Sequence, residues 1–318
     1  MASQQDEWNS EIEKAISNNG SIEIFEFEKF SDFTKIADGG FGTVRKARWN
    51  DCGMDVALKR IKVEEPDKKM IKAFIEELTF SRRIAPHQHI ISFYGIVKDS
   101  TGQYNMVLQF AKDGNLRQYL EKNFKNLQNE DKFRIAKEIT CGLAYLHINN
   151  IVHRDLHTKN ILVDDGKMKI ADFGLARETK NEQITSNTSV AHGMPAFIEP
   201  KCIKNAKYRR DKKSDIYSLG VIFWEISSGK PPFESNTFFE IGFKVLEGKR
   251  ETPVKDTPSF YVKLYQQCWD GDPDKRPEVT DVINILDKFA LTKDDGPLPD
   301  DIPKFNSNNS SNNQSNNS

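Results

Sequence analysis

The stretch His153-Arg154-Asp155-Leu156-His157-Thr158-Lys159-Asn160, with Asp172-Phe173-Gly174 following it, decides how the rest of the chain is read. It combines a lone carboxylate, Asp155, with two hard oxygen donors, Asn160 and Asp172. A carboxylate can accept the proton of an attacking hydroxyl, and an amide oxygen with a second carboxylate suits Mg²⁺ held against phosphates. Each short string recurs by chance in unrelated chains, so the reading depends on finding the remaining parts in order.

Upstream, Ile36-Ala37-Asp38-Gly39-Gly40-Phe41-Gly42-Thr43-Val44 reads as a glycine-rich hairpin, and Val56-Ala57-Leu58-Lys59 as an apolar strand ending in lysine. Glycines at 39 and 42 let backbone amides approach phosphate oxygens where a Cβ would intrude. Alone, the string is equally an ordinary hairpin turn. Lys59 after it points to a nucleotide, and it needs a carboxylate partner. Residues 67–84 have helical periodicity, with Met70, Phe74, Ile75 and Leu78 apolar. Glu76 and Glu77 are the acids on offer, and a solvated acidic pair is the bland alternative.

Together these parts resemble a eukaryotic protein kinase of the tyrosine-kinase-like group. Tyr94-Gly95, Asp113-Gly114-Asn115-Leu116, the segment 214–220, Pro231-Pro232-Phe233, Cys268-Trp269 and the segment 272–277 extend the likeness over about residues 31–290. The wording of 193–200 and 210–215 is similar to an expanded kinase family of arbuscular mycorrhizal fungi. The resemblance implies an α+β, two-lobed fold. A small antiparallel-sheet lobe with one helix would span 31–108, and a hinge with a larger, mainly helical lobe 109–290.

It also implies ATP and Mg²⁺ as cofactors and a protein as substrate. Asp155 would take the hydroxyl proton, while Lys59, held by Glu77, would align the α and β phosphates. Glu77 is preferred to Glu76 because it stands seven residues before Ile84, the spacing kinases use. Asn160 and Asp172 would bind the metal, and Lys159 would contact the transferred phosphate or the substrate hydroxyl. By the same resemblance Gly39, Gly40, Phe41 and Gly42 cover the phosphates. Ile36, Val44 and Ala57 lie above the adenine and Leu162 below it, and Ala37 stands in the glycine-rich loop of the nucleotide site. Leu108 is the gatekeeper, and Gln109, Phe110 and Ala111 present hinge backbone. His153, Arg154 and Asp215 brace the catalytic loop.

Several positions depart from the pattern. Ala37 replaces the first loop glycine, and Ser81 falls where a bulky apolar residue is usual, with Phe80 beside it. His157 and Met194 replace a lysine and threonine that normally bond each other. Glu199-Pro200-Lys201 stands where Ala-Pro-Glu is usual, so Lys201 cannot pair with Arg276. Either Glu199 reaches that arginine from its shifted place or the anchor is lost, at a cost of ~3–5 kcal/mol for a buried unpaired charge.

Forty-six basic and forty-seven acidic residues among 318 leave a formal charge of −1, which offers no surface for nucleic acid or an anionic membrane. Cys52, Cys141, Cys202 and Cys268 lack metal-ligand spacing and read as free thiols of a reducing compartment. No apolar run approaches the roughly 20 residues of a membrane helix, and the polar start Met-Ala-Ser-Gln-Gln-Asp-Glu is unlike a signal peptide. The expected location is cytoplasmic, with the nucleus open.

Residues 1–30 read as an extension whose helix at 6–17 carries Trp8, Ile12, Ala15 and Ile16 on one face. It leads through Gly20 into a strand-like 22–27 and packs on the small lobe, or docks an activator. Residues 291–318 end in an Asn/Ser-rich tail with nothing apolar to bury and are expected to be disordered. The segment from Asp172 to about Lys201 carries Thr179, Thr185, Ser186, Thr188 and Ser189, where an upstream kinase could place phosphate opposite Arg154. The function expected is transfer of the ATP γ-phosphate to a protein hydroxyl in signal transduction, Ser/Thr ahead of Tyr with dual specificity open. The alternative is a pseudokinase scaffold that binds nucleotide and partners.

Overall fold

The central strands of a six-stranded sheet carry continuous buried runs, Val56–Lys59 in one and Tyr104–Val107 in another. The computed structural model describes residues 9–14, 17, 22–39, 42–60, 68–84, 86–178, 194–205 and 207–291. The chain forms two units, Met1–Asn115 with Ile161–Ala176, and Leu116–Asn160 with Arg177–Ser318.

In the first unit β1 (Ile24–Phe25), β2 (Phe30–Gly39), β3 (Gly42–Trp49), β4 (Met54–Arg60), β5 (Phe93–Lys98) and β6 (Tyr104–Gln109) pair in the order β1-β5-β6-β4-β3-β2. Strands β2 to β6 are antiparallel, and β1 joins β5 in parallel, an addition contributed by the residues before 31. Period-two alternation separates the faces. Val56, Leu58, Val97 and Val107 pack with Phe30 and Ala47 on one side. Ile96, Tyr104 and Met106 pack on the other with Phe74 and Leu78 from helix α1 (Lys68–Ile84), and with Ile12 and Ile22. Each such side chain contributes about 1.5–3 kcal/mol when buried. Arg82 and Arg83 in the last turn of α1 complement its dipole.

Of the helix expected at 6–17, residues 9–14 are helical with Ile12 fully buried, while Trp8, Ala15 and Ile16 lie outside the described residues. The tail from 292 onward lies outside them as well.

Gly95 is required where β1 crosses β5. A Cβ there would lie 2.4 Å from the Glu23 carbonyl oxygen and 2.8 Å from the Phe25 ring. Gly95→Ala is therefore expected to shift β1 off the sheet and cost about 1–3 kcal/mol by overpacking. A urea midpoint equal to that of the unsubstituted chain would show that β1 is not seated there.

The hairpin of β8 (Ile161–Asp164) and β9 (Lys167–Ile170) belongs to this first unit. Ile91 N–H donates to Ile170 O and Ile170 N–H to His89 O, both at 2.9 Å. Val163 N–H donates to Gly114 O at 2.8 Å, and Asp113 N–H to Val163 O at 3.0 Å. Asp172, just beyond β9, is thereby carried to the sheet that holds Lys59.

The second unit is mainly helical: α2 (Leu116–Asn123), α3 (Asn129–Ile148), α4 (Pro200–Lys204), α5 (Lys212–Ser228), α6 (Phe238–Leu246), α7 (Ser259–Cys268) and α8 (Val279–Leu291), with a two-stranded pairing of β7 (Ile151–Val152) and β10 (Arg177–Glu178). Helix α5 is buried almost all round, as a central core helix must be. Asp211 caps it, accepting from Lys213 N–H at 2.9 Å and Ser214 N–H at 3.2 Å while Ser214 Oγ accepts from the Asp211 amide. Gly220 lets α7 lie against it, since a Cβ would meet Cys268 Cβ and Trp269 N at 2.8 Å. No helix among the described residues is long and apolar enough to cross a membrane.

Candidate active site

The first unit gathers three charges. Lys59, near the end of β4, donates from Nζ to Glu77 Oε1 at 2.5 Å and to Asp172 Oδ1 at 3.0 Å. Phe74 and Leu78 bury the same face of α1 that carries Glu77, which turns that glutamate inward. Burial disfavours the lysine's charge, but Asp172 and then Glu77 outweigh it and raise its pKa, so the ammonium stays charged. Burial raises the Glu77 carboxyl, Lys59 draws it down, and the charge of Asp172 adds to the net rise. Two carboxylates thus share one cation in a desolvated place. Asp172 adopts a left-handed φ of 66°, a conformation that costs a non-glycine residue about 1–2 kcal/mol.

The other positions expected at a nucleotide pocket are also placed in this unit. Ala57 faces Leu108 across β4 and β6, and Ala37 pairs with Val44 across β2 and β3. Gly39 pairs with Gly42 at the hairpin end, while Gly40 and Phe41 lie outside the described residues. Ile36 is exposed on β2, and Leu162 bridges to Asn115. Gln109 N–H donates to Ser92 O at 2.9 Å, and its side chain to Asp164 Oδ2 at 2.8 Å. Lys46 lies 5.0 Å above the Phe110 ring.

The second unit holds the loop from His153 to Asn160. Asn160 Nδ2 donates to the Asp155 carbonyl at 2.9 Å and to its carboxylate at 3.3 Å. With both amide hydrogens drawn to Asp155, the side-chain oxygen of Asn160 is directed elsewhere. Lys159 is exposed on the turn Thr158–Asn160. Arg154 takes a left-handed φ of 70°, and its neighbours over-determine it. Buried Asp215 accepts from His153 N–H at 2.8 Å, Arg154 N–H at 2.9 Å and His147 Nε2 at 3.0 Å. Arg210 also donates to the Arg154 carbonyl.

Burial would raise the Asp215 carboxyl, but the hydrogen bond from His147, the nearby histidine charges and the Arg154 amide hold it below its ordinary value. A folded value below the unfolded one means that the carboxylate stabilises the fold above about pH 4, and that this contribution is lost as pH falls through the folded value. Asp215→Asn should therefore cost about 2–3 kcal/mol at pH 7, with the gap narrowing below about pH 4. Urea midpoints from pH 7 to 3 would show this; a gap independent of pH would refute the assignment.

The sequence profile of the protein tyrosine and serine/threonine kinases matches residues 31–286. The chain belongs to that kinase family. It is 32% identical over 80% of its length to serine/threonine-protein kinase STY46 of Arabidopsis thaliana, covering 43% of that protein. It is 30% identical over 89% of its length to dual specificity protein kinase shkA of Dictyostelium discoideum, covering 53%. A putative serine/threonine-protein kinase/receptor of Acanthamoeba polyphaga mimivirus is 32% identical over 83% of the chain but 16% of its own length. The chain thus spans less than half of some curated relatives that it matches.

In this kinase domain the question left open at Glu199 is resolved. Arg276 Nη1 reaches Glu199 Oε2 at 2.8 Å with neither side chain exposed. The anchor survives its shift, because Glu199 precedes α4 and points into the space where Ser214 and Cys202 also donate to it. His157 lies edge-on to the Phe197 ring at 6.0 Å, with Nε2 3.8 Å from Asp155. The imidazole therefore packs on an aromatic side chain where a lysine would seek a hydroxyl. Ser81 is buried and leaves little apolar surface in the α1 turn after Glu77, and Phe80 beside it is buried too.

Glu225, its partner Arg117 and Arg210 are three supporting residues that were not singled out from the sequence. Glu225, inside the apolar run of α5, accepts from Arg117 Nε at 2.7 Å and Nη2 at 3.0 Å and from Thr158 Oγ1 at 2.9 Å. An acid inside the apolar run that follows Leu219 was the available signal, since a charge buried there must be paired. Arg210 is the third, buried where it grips the Arg154 carbonyl, and nothing local in the sequence marks it. Arg154, Arg177, Lys207, Arg209 and Arg210 line a cavity of about 600 Å³ whose acids are Glu178 and Asp211. Burial and the charges of Arg177, Arg210 and Arg209 lower the Arg154 guanidinium to about 10 against the pull of Asp215.

Proposed function

We propose that the chain is a protein kinase that transfers the γ-phosphate of ATP to a protein hydroxyl, serine or threonine ahead of tyrosine. The observation that carries this is the buried Lys59–Glu77 pair shared with Asp172, in a chain of the kinase family. Lys59 holds the nucleotide phosphates and Glu77 keeps the lysine from swinging onto Asp172 alone. Asp155 accepts the proton of the attacking hydroxyl, and Asn160 fixes its backbone and carboxylate. Lys159, exposed beside them, meets the transferred phosphate or the substrate. Gln109 N–H is committed to Ser92, so Phe110 or Ala111 supplies the hinge donor for adenine, with Ala57, Val44 and Leu108 around the ring.

Asp172 and Asn160 are the residues that would hold Mg²⁺. They fit it: both offer hard oxygens, and the Lys59–Glu77–Asp172 cluster carries one negative charge in excess in a desolvated site. A bound ion would supply positive charge to offset that of the nucleotide phosphates.

The cavity supports regulation through the activation segment, since Arg154, Arg177, Lys207, Arg209 and Arg210 line it beside only two acids, Glu178 and Asp211. Thr179, Thr185, Ser186, Thr188 and Ser189, outside the described residues, are the acceptors for an upstream kinase. Residues 1–30 form an extension, 31–290 the kinase domain and 291–318 a tail. The free cysteines and the balanced charge favour a cytoplasmic signalling role.

The test is transfer of labelled phosphate from Mg-ATP to generic protein substrates, with phosphoamino-acid analysis. Phosphoserine or phosphothreonine is the result expected. Nucleotide binding without transfer, with the activation segment phosphorylated, would instead make the chain a scaffold. Arg154→Ala and Arg209→Ala should each reduce the activation produced by segment phosphorylation by about tenfold while leaving the fold intact. Equal activation in both variants would remove the cavity from this role.

A further inference from the structure

Ile12 precedes the family-matched region, which begins at residue 31, yet it is fully buried. It shares one cluster with Ile22, with Phe74 and Leu78 of α1, and with Ile96, Tyr104 and Met106 of the sheet. Phe74 and Leu78 flank Glu77, so the side chains that seat α1 are the ones that aim Glu77 at Lys59. The N-terminal segment forms the third wall of that seat, after α1 and the sheet.

Two independent anchors fix the segment to the sheet. The helical residues 9–14 are tied by Glu13, whose carboxylate accepts from Tyr104 Oη at 2.9 Å and lies 3.9 Å from Lys98 Nζ. Strand β1 is tied by its parallel register, Ile24 to Ile96 and Phe25 to Val97, and by Ile96 N–H donating to Glu23 O at 2.9 Å over Gly95. Between these anchors Ile12 and Ile22 rest in the same apolar cluster as α1.

We infer that Ile12 is a positioning residue and that the N-terminal segment is a prop, built into the chain, that holds α1 with Glu77 on Lys59. The inference rests on the proposed role of the Lys59–Glu77 pair in holding nucleotide. Without the prop the sheet keeps its remaining strands, while α1 loses part of one wall and the ion pair opens more often. Chain segments outside the kinase region thereby set how well the nucleotide site is organised.

The experiment uses the full chain and its Ile12→Ala, Ile12→Leu and Tyr104→Phe variants, read by hydrogen exchange of residues 74–84 and by titration with Mg-ADP. Ile12→Ala is expected to speed exchange in α1 by about tenfold, leave α5 unchanged and weaken Mg-ADP by about threefold to tenfold. Ile12→Leu should keep near-native values, since it conserves volume. Tyr104→Phe, which removes a single hydroxyl, should speed α1 exchange by about threefold and covers the case in which Ile12→Ala does not fold. Exchange in α1 that stays native, or that rises equally in α1 and α5, would overturn the inference. Neither readout needs turnover, so the prop can fail while the kinase reading stands, and the reverse.

Discussion

Asp155→Asn lowers the rate of phosphoryl transfer by about 10²–10⁴-fold, the range that a positioned general base supplies. The amide cannot take up the hydroxyl proton, yet it matches the carboxylate in shape, and the bond from Asn160 to the backbone carbonyl at 155 survives the change. Mg-ADP affinity and melting temperature should therefore stay near those of the unsubstituted chain. Lys59→Met removes transfer as well, but by another route and with a structural cost. It strands Glu77 and Asp172 as two carboxylates beside each other, one of them almost fully buried, which should cost about 3–5 kcal/mol. The pH dependence then has a definite sign. The Glu77 carboxyl is already raised by burial, and more so without the lysine, so the folded state binds its proton more tightly than the unfolded chain. Stability of Lys59→Met should rise as pH falls from 7 toward 5. Native rates for Asp155→Asn would exclude it as the base, and a Lys59→Met variant as stable as the parent would show the charge cluster to be solvated.

Arg276→Met should lower stability by about 3–5 kcal/mol, on the order of 10 °C in melting temperature, although it lies outside the proposed chemistry. Its guanidinium is fully buried, bonded to Glu199 and to the carbonyls of Lys213 and Asp270 at 2.8 Å each. The substitution leaves the Glu199 carboxylate buried without its cation. Combining it with Glu199→Met removes that charge, so the double variant should recover at least half of the loss. This asymmetry separates a pair needed to satisfy itself from one that adds net stability. If the two substitutions prove additive in denaturant midpoints, the pair is not coupled and the shifted anchor has no energetic role.

Much of the fold was legible because its signals are local. The 3.6-residue spacing of Phe74 and Leu78 marks α1, and the apolar run through Val56 and Leu58 marks β4. The sites of Asp155, Asn160 and Asp172 could be read from residue type and order, since hard oxygen donors and a lone carboxylate state their chemistry. The N-terminal helix was visible as an amphipathic pattern, but a pattern does not name its partner. Whether Ile12 met the small lobe or an external activator depended on what lay across from it.

The sequence by itself determined the family, the order of elements and the residue types available for phosphoryl transfer, because these follow from local propensity and short motifs. Only the tertiary structure decided the pairings between distant residues. It closed Lys59 on Glu77, the acid that the kinase spacing already favoured, brought the β8–β9 hairpin and Asp172 to the sheet of Lys59, and closed Arg276 on a displaced Glu199. Such choices depend on which charges are buried together. Burial is a property of the packed chain, and a lone buried charge is costly enough that packing must bring it a partner wherever the sequence has placed one.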